Sequence, residues 1–594
     1  MFKRYRTYQE KVSQMISWGH WFTLFNILLI LPLASRYLFV SDWPRTLGGR
    51  LYALFSWLGH FSFLTFAVYL LLLFPLTFVV VSQRLLRIIS SIVATAGITL
   101  IVIDAEIFDR FRLHLNSTVW NLVVNPEQAD LAKEWQVLFI AIPAIFLIQM
   151  LFSTWSWEKL RSLDKRANKV KPLILLFVAA FVGSHLTHIW ADANFYRPIT
   201  MQKANYPLSY PLTARRFLEK HGLLDRDAYK EKVQEQGSPA AVAIEYPLNK
   251  IHFSADKPTG FNLLMVVVDG IRNRSFYEDM PFTYSFAQNN LQFTQHYSAG
   301  VSKDPSLVGL LYGISPSYTD SILSWHKPSA LIDTLNQRGY KFQLLAADGF
   351  NTPLYRQTLF ADYQLPARTP VSNEQITKKW QQWLPTQGAK EQPWFSYIDF
   401  SNTALTQKPS SNEQFTADYH KQANAIDEQI QQLIQSLETT GQLDNTVVVI
   451  TASMGVEFND SKQNVWGIND NYTRAQLQVP LTIHWPGRAP ETITKMTGHE
   501  DIMTTLMQSL LLVTNNPSDY SHGENLFLPE RHFNWVIAGD KENLVITTPE
   551  QTIILNDNGH YQLLDKDYKE EKENEPSLAL LLQILTETKR FIAG

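Results

Sequence analysis

Five long apolar stretches, at roughly 18–40, 52–81, 86–105, 135–156 and 172–190, crowd the first 190 residues of this 594-residue chain. Each has the roughly 20 residues a helix needs to cross the hydrocarbon of a bilayer. None shows the one polar face that a helix buried in a soluble core would carry. The pattern predicts five membrane spans, the second long enough to tilt or to run past the membrane surface. Trp18, Trp21, Trp43, Trp57, Trp135, Trp155, Trp157 and Trp190 lie near the ends of these stretches, where amphipathic rings anchor at the interface. The first stretch follows a basic start, Lys3, Arg4, Arg6 and Lys11, but is too long for the apolar region of a cleaved signal and lacks a clear cleavage site.

Basic residues alternate between the connections. The N-terminus is basic, Arg84 and Arg87 follow the second stretch, and Lys159, Arg161, Lys165, Arg166, Lys169 and Lys171 follow the fourth. The other connections hold only Arg45 and Arg50, then Arg110, Arg112 and Lys133. The richer set belongs in the cytoplasm. An odd number of spans then carries everything after residue 190 outside, which in a Gram-negative cell is the periplasm. His20, Arg36, His60, Asp104, His185 and His188 lie in or near the apolar runs. Such groups are either functional or interfacial, most of these sitting near span ends where snorkelling removes the cost.

The average composition, 45% hydrophobic and 18% charged with net charge −3, conceals a division into an apolar first third and a soluble remainder. A chain this long needs at least two cored units, and the near-neutral charge argues against a nucleic-acid partner. With no cysteine, disulfides, thiolate metal sites and a cysteine nucleophile are excluded. The expected division is a five-span domain over 1–190, a juxtamembrane linker over 191–245 and a soluble domain over 246–594. In the linker, Tyr206-Pro-Leu-Ser-Tyr-Pro-Leu reads as extended. A short amphipathic helix follows, with Thr213 as its N-cap and Phe217 and Leu218 beside Arg215, Arg216 and Lys220. An arginine pair beside an aromatic suits a lipid phosphate and its acyl chains. A solvated linker helix paired with the chain's own acids is the alternative.

From residue 250 onward, continuous apolar runs alternate with helical patterns. Phe261-Asn-Leu-Leu-Met-Val-Val-Val-Asp269, Lys341-Phe-Gln-Leu-Leu-Ala-Ala-Asp348 and Trp394-Phe-Ser-Tyr-Ile-Asp-Phe400 read as strands, as do Thr446–Thr451 and Val479–Trp485. Continuous hydrophobicity marks strands covered on both faces, hence a doubly wound, mostly parallel α/β sheet. Helices at 328–338, 414–438 and 500–513 supply crossovers, short antiparallel strands occupy 533–563, and a closing helix covers 576–592. Ligands in such sheets bind beyond the carboxyl ends of the strands, where Asp269 and Asp348 fall.

The succession of strand-Asp269, Ser298-Ala-Gly-Val-Ser-Lys-Asp-Pro-Ser306, Asn445–Gly455 and Val479-Pro-Leu-Thr-Ile-His-Trp-Pro-Gly487 resembles the sulfatase and phosphoglycerol-transferase family, of the alkaline-phosphatase type. With the five spans, and with the stretches Lys11–His20 and Trp190–Thr200, the whole chain resembles the YejM/PbgA family of bacterial inner-membrane proteins. That resemblance implies a sensor of lipopolysaccharide, through lipid A, in the periplasmic leaflet. It also implies restraint of a LapB-type adaptor through the membrane region, so that LapB and FtsH degrade less LpxC. It places the lipid A contact on Arg215, Arg216 and Phe217, with Thr213 and Lys220 flanking them and phospholipids as further partners.

The same resemblance sets what a working hydrolase would need: divalent metal held by acids and histidine, activating a hydroxyl or modified cysteine. Asp269 matches the first metal ligand, but its usual acidic neighbour is Gly270. The nucleophile falls at Ser302 or Lys303, ungapped matching favouring Lys303. Ser453-Met454-Gly455 replaces an Asp-His pair, with groups that are poor ligands for a hard cation, and the segment Asp470–Gln478 just before Val479 contains no histidine. Asp269 and Ser302 are vestigial candidates, no cofactor is expected, and Asp348 and Asp399 offer at most a weak divalent site. The reading is a non-enzymatic regulator. A membrane-anchored metal-dependent phosphatase, a phosphoethanolamine or phosphoglycerol transferase, and transport of lipid such as cardiolipin toward the outer membrane are the alternatives.

Overall fold

The computed structural model describes the chain apart from residues 1, 42, 81, 117–119, 121–135, 166, 255–258, 388–391, 407–410, 557–559, 567, 572–575 and 594. Lys133, Trp135 and Arg166 lie outside the described residues. The chain divides into two compact units: Met1–Val233 with Pro239–Ala243 and Leu578–Gly594, and Gln234–Ser238 with Ile244–Ser577. The three-part division expected from sequence thus becomes two. Residues 191–233 belong to the first unit, and so does the closing helix.

Five helices of the first unit are long and apolar enough to cross a membrane. They are α1 (Phe2–Ala34), α2 (Leu47–Val68, extended to Val79), α3 (Gln83–Phe111), α4 (Gln136–Glu158) and α5 (Ala167–Ala193). Thr46 and Ser82 start α2 and α3 by accepting hydrogen bonds from the amides of Gly49 and Leu85. Within α2 the ladder widens to a π-turn over Tyr69–Leu73 just before Pro75, whose ring lacks an N–H and crowds the carbonyl one turn back. Polar pairs tie the helices together: Trp18 Nε1 donates to Ser156 Oγ at 3.0 Å, and Gln149 Nε2 to Asn26 Oδ1 at 2.7 Å. At Gly59, α2 comes so close to α5 that a Cβ would stand 2.5 Å from the Phe181 backbone.

Several ionisable groups in or near the spans find partners within the unit. Asp104 accepts from Tyr37 Oη and the Leu115 amide, both at 2.6 Å, and pairs with His114 Nδ1 at 2.8 Å. Arg36 bridges Glu106 and Asp109 at 2.7 and 2.9 Å. Three histidines clamp the strap that follows the spans. His60 Nε2 lies 2.8 Å from the Pro207 carbonyl and His188 Nδ1 2.9 Å from that of Leu212, while the Leu212 amide donates to His185 Nδ1 at 3.3 Å.

The second unit is built on a seven-stranded sheet: β1 (Asn262–Val268), β2 (Leu291–Phe293), β3 (Lys341–Ala346), β4 (Trp394–Phe400), β5 (Thr446–Ala452), β6 (Leu481–His484) and β7 (Glu491–Ile493). Its order is β7-β2-β6-β5-β1-β4-β3. β1, β3, β4 and β5 run parallel, and β6 runs antiparallel to both β5 and β2. The run at Val479–Trp485 is therefore the strand that breaks the parallel pattern. Every residue of β1, β4 and β5 is buried, as strands covered on both faces must be. Helix Asn412–Thr439 supplies one cover, burying Ile426, Ile430, Leu433 and Leu437 against Val266, Val268 and Ile398. A four-stranded antiparallel meander over 536–565 follows.

Candidate functional site

Parallel strands β1, β4 and β3 end at one edge of the sheet. Asp269 directly follows β1, Asp348 lies two residues beyond β3, and Asp399 is the penultimate residue of β4, level with Val267 and Ala346. Facing them is a helix shorter than two turns, Lys303–Leu307, with Ser302 at its N-cap position. The Lys303 Nζ stands 2.8 Å from Asp269 Oδ2, 2.8 Å from Asp348 Oδ2 and 2.9 Å from Asp399 Oδ2. An ammonium has three N–H donors, and each here meets one carboxylate.

Asp269 and Asp348 also engage their other oxygens, and Asp399 Oδ2 takes a second donor beside Lys303. Ser453 Oγ donates to Asp269 Oδ1 at 2.9 Å, the Phe350 amide to Asp348 Oδ1 at 2.9 Å, and Tyr355 Oη to Asp399 Oδ2 at 2.8 Å. Asp399 Oδ1 is buried without a hydrogen-bond partner among the described residues. Burial pushes the Asp399 carboxyl up to about 7, against the pull of Lys303. Burial also works to discharge Lys303, but Asp399, Asp269 and Asp348 outweigh it and hold the ammonium charged well above the ordinary lysine range.

This arrangement does not fit a divalent metal. Among the described residues no group of three or more His, Cys, Asp or Glu stands ready to hold a metal ion. The acids that come nearest surround a lysine instead. Ser453 is spent on Asp269, and Met454 is buried. Ser302 is exposed, its backbone carbonyl accepting from the Ser306 amide. Sequence singled out Asp269, Asp348 and Asp399 and noted Lys303 only as a lost nucleophile. Its role as their shared partner depends on contacts across 45 and 96 positions, and that of Tyr355 on one across 44.

A second cluster lies in the first unit, at the strap and the helix Arg215–Lys220. Thr213 does not cap this helix. Ala214 takes the N-cap position with φ 51°, and no side chain caps it. Arg215 forms a bidentate pair with Asp192, Nε to Oδ2 and Nη2 to Oδ1 both at 2.7 Å, and lies 4.8 Å from the centre of the Tyr229 ring. Tyr229 Oη donates to the same Asp192 at 3.3 Å. Arg216 and Lys220 are exposed and form no ion pair or side-chain hydrogen bond among the described residues, and Phe217 beside them is 59% exposed. Leu208, Tyr210 and Leu212 of the strap are also exposed.

Arg215 thus positions the helix through the buried Asp192. Asp192→Asn is expected to lower the stability of the first unit by about 1–2 kcal/mol, a buried-pair cost reduced because Arg215 is 47% exposed. A thermal midpoint equal to that of the unaltered protein would show that the pair holds nothing in place.

Two family models divide the chain. One described as a domain of unknown function, DUF3413, matches residues 5–253, and the sulfatase model matches residues 262–510. Among full-length relatives, the inner membrane protein YejM of Salmonella typhi is 51% identical over 587 residues, 99% of each chain. An uncharacterized protein of Haemophilus influenzae is 41% identical over 585 residues, 97% of this chain and 96% of that one. Among solved structures, a protein in the alkaline phosphatase superfamily from Vibrio parahaemolyticus matches at 15% identity and TM-score 0.46, covering 62% of this chain and 98% of that one. The lipoteichoic acid synthase LtaP from Listeria monocytogenes matches at 16% identity and TM-score 0.44, covering 61% and 96%. Five apolar helices followed by a parallel-dominated α/β sheet make this a membrane protein with a sulfatase-like domain. With half its residues shared from end to end, the chain belongs to the YejM family of inner membrane proteins.

Proposed function

We propose that this protein senses lipopolysaccharide in the periplasmic leaflet of the inner membrane, with its N-terminus in the cytoplasm and its sulfatase-like domain in the periplasm. In this reading, lipid A binds at the strap and the helix that follows it, and the spans restrain a LapB-type adaptor from delivering LpxC to FtsH. The single observation that carries the reading is the pair Arg216 and Lys220, uncommitted among the described residues beside exposed Phe217. A guanidinium fork and an ammonium suit phosphate. Phe217, with Leu208 at 69%, Tyr210 at 77% and Leu212 at 57% exposure, offers the apolar surface that acyl chains take. Arg215 contributes by orientation, its guanidinium being committed to Asp192. Lys303 among the strand-end acids favours a regulator over a metal-dependent hydrolase.

Native mass spectrometry of full-length protein tests this. Arg216→Ala/Lys220→Ala is expected to lose co-purified lipid A at least tenfold, since each charge-assisted phosphate contact contributes about 1.5–3 kcal/mol. Lipid A absent from both proteins, or equal in both, would sink the reading.

A further inference from the structure

We propose that Lys303 is the resident cation of the sheet-end acid cluster: its ammonium, covalently part of the chain, stands where a divalent ion would otherwise be required. Removing it uncovers a cation site that prefers calcium to magnesium. The inference goes beyond the lipid-sensing reading and stands or falls without it, because neither lipid nor regulation enters its test.

Three observations support it. The first is stoichiometry, with one donor for each of Asp269, Asp348 and Asp399, which leaves no charge-bearing donor idle. The second is the support behind the acids. Ser453 and the Phe350 amide hold Asp269 and Asp348 by their far oxygens, and Tyr355 shares Asp399 Oδ2 with Lys303, so their orientation does not depend on Lys303 alone. The third is size. Contacts of 2.8–2.9 Å are those of an ammonium hydrogen bond. Calcium binds oxygen at about 2.3–2.6 Å and magnesium at about 2.0–2.1 Å with near-ideal octahedral geometry. Small side-chain rotations would close the cage on calcium, and Asp399 Oδ1, without a partner among the described residues, offers a further oxygen. Magnesium would demand a much larger contraction.

The experiment uses full-length protein in detergent, stripped with chelator, with thermal unfolding followed as calcium or magnesium is titrated. The unaltered protein should unfold at the same temperature in chelator and in either cation. Lys303→Ala in chelator should lose roughly 5–10 °C, because buried Asp399 and the half-buried Asp269 and Asp348 are left crowded together without their counter-charge. Calcium should restore most of that loss and magnesium little of it. Adding Asp269→Asn to Lys303→Ala should abolish the calcium response. A Lys303→Ala protein whose stability ignores calcium would overturn the proposal. A second measurement leaves Lys303 in place: manganese titration of the unaltered protein, followed by paramagnetic resonance. No bound ion at the cluster is expected, and one ion per chain that Asp269→Asn removes would also overturn it.

Discussion

Arg531→Met is expected to cost the sulfatase-like domain about 3–5 kcal/mol, the loss typical of removing one partner from a buried ionic cluster. The Arg531 side chain is 7% exposed, with Nη1 2.6 Å from Asp501 Oδ2, Nη2 3.5 Å from Glu500 Oε1 and Nε 3.6 Å from Glu524 Oε1. Glu500 and Asp501 lie in the first turn of helix His499–Thr505, and Asp501 also accepts from the Gly498 and Glu524 amides at 2.8 and 2.7 Å. Amides at a helix start favour the charged acids, but they cannot replace a guanidinium among three carboxylates.

The loss should depend on pH with a definite sign. Burial and the neighbouring Asp501 push Glu500 up to about 7. A carboxyl raised in the fold contributes stability that is full below its unfolded value of 4.5 and is lost as pH rises toward 7. Without Arg531 the folded value rises further and the loss deepens. The gap between variant and unaltered protein should therefore be widest near pH 8 and narrow toward pH 5. Urea unfolding at those two pH values is the measurement. A gap under about 1 kcal/mol, or one that widens on acidification, would contradict this account.

Gly59→Leu should act on the other unit. A Cβ there would lie 2.5 Å from both N and Cα of Phe181 and 2.8 Å from the Ala180 carbonyl carbon. These are backbone atoms of α5, which cannot rotate away as a side-chain tip could. Small residues let membrane helices approach closely, and overpacking such a contact costs about 1–3 kcal/mol or more. The expected result is earlier thermal unfolding of the membrane unit with the sulfatase-like domain unchanged, read by tryptophan fluorescence and limited proteolysis. If both units unfold as before, the helices have more freedom at Gly59 than this contact implies.

What the sequence disclosed and what it hid divide along sequence distance. The spans and strands were legible because their signals are local: an apolar run of membrane length, or a run of Val, Leu and Met ending at Asp269. Their limits were less so. α3 runs to Phe111, beyond the expected end at 105, because Glu106 and Asp109 pair with Arg36 and so continue the helix as a polar end. The antiparallel direction of β6 is a matter of pairing, which hydrophobicity does not record. Thr213 resembled a cap, but Ala214 turned left-handed and displaced it. The cluster at Lys303 was the hardest to read. From sequence, a lysine at a nucleophile's position is only a missing hydroxyl, whereas the fold makes it the counter-charge of three acids that sequence had found separately.

The histidine clamp has a mechanical consequence. His60 belongs to α2, whereas His185 and His188 belong to α5, yet all three hold the few residues between Pro207 and Leu212. The strap is thus a crossbar fastened to two rods. Because the Leu212 amide donates to His185 Nδ1 while the Leu212 carbonyl accepts from His188 Nδ1, the two neutral rings hold opposite tautomers, and a half-turn of either would put a ring carbon where the bonded nitrogen stood. Sliding or twisting of α5 against α2 must then shear these bonds or carry the crossbar along, and a load on the crossbar is shared between both rods.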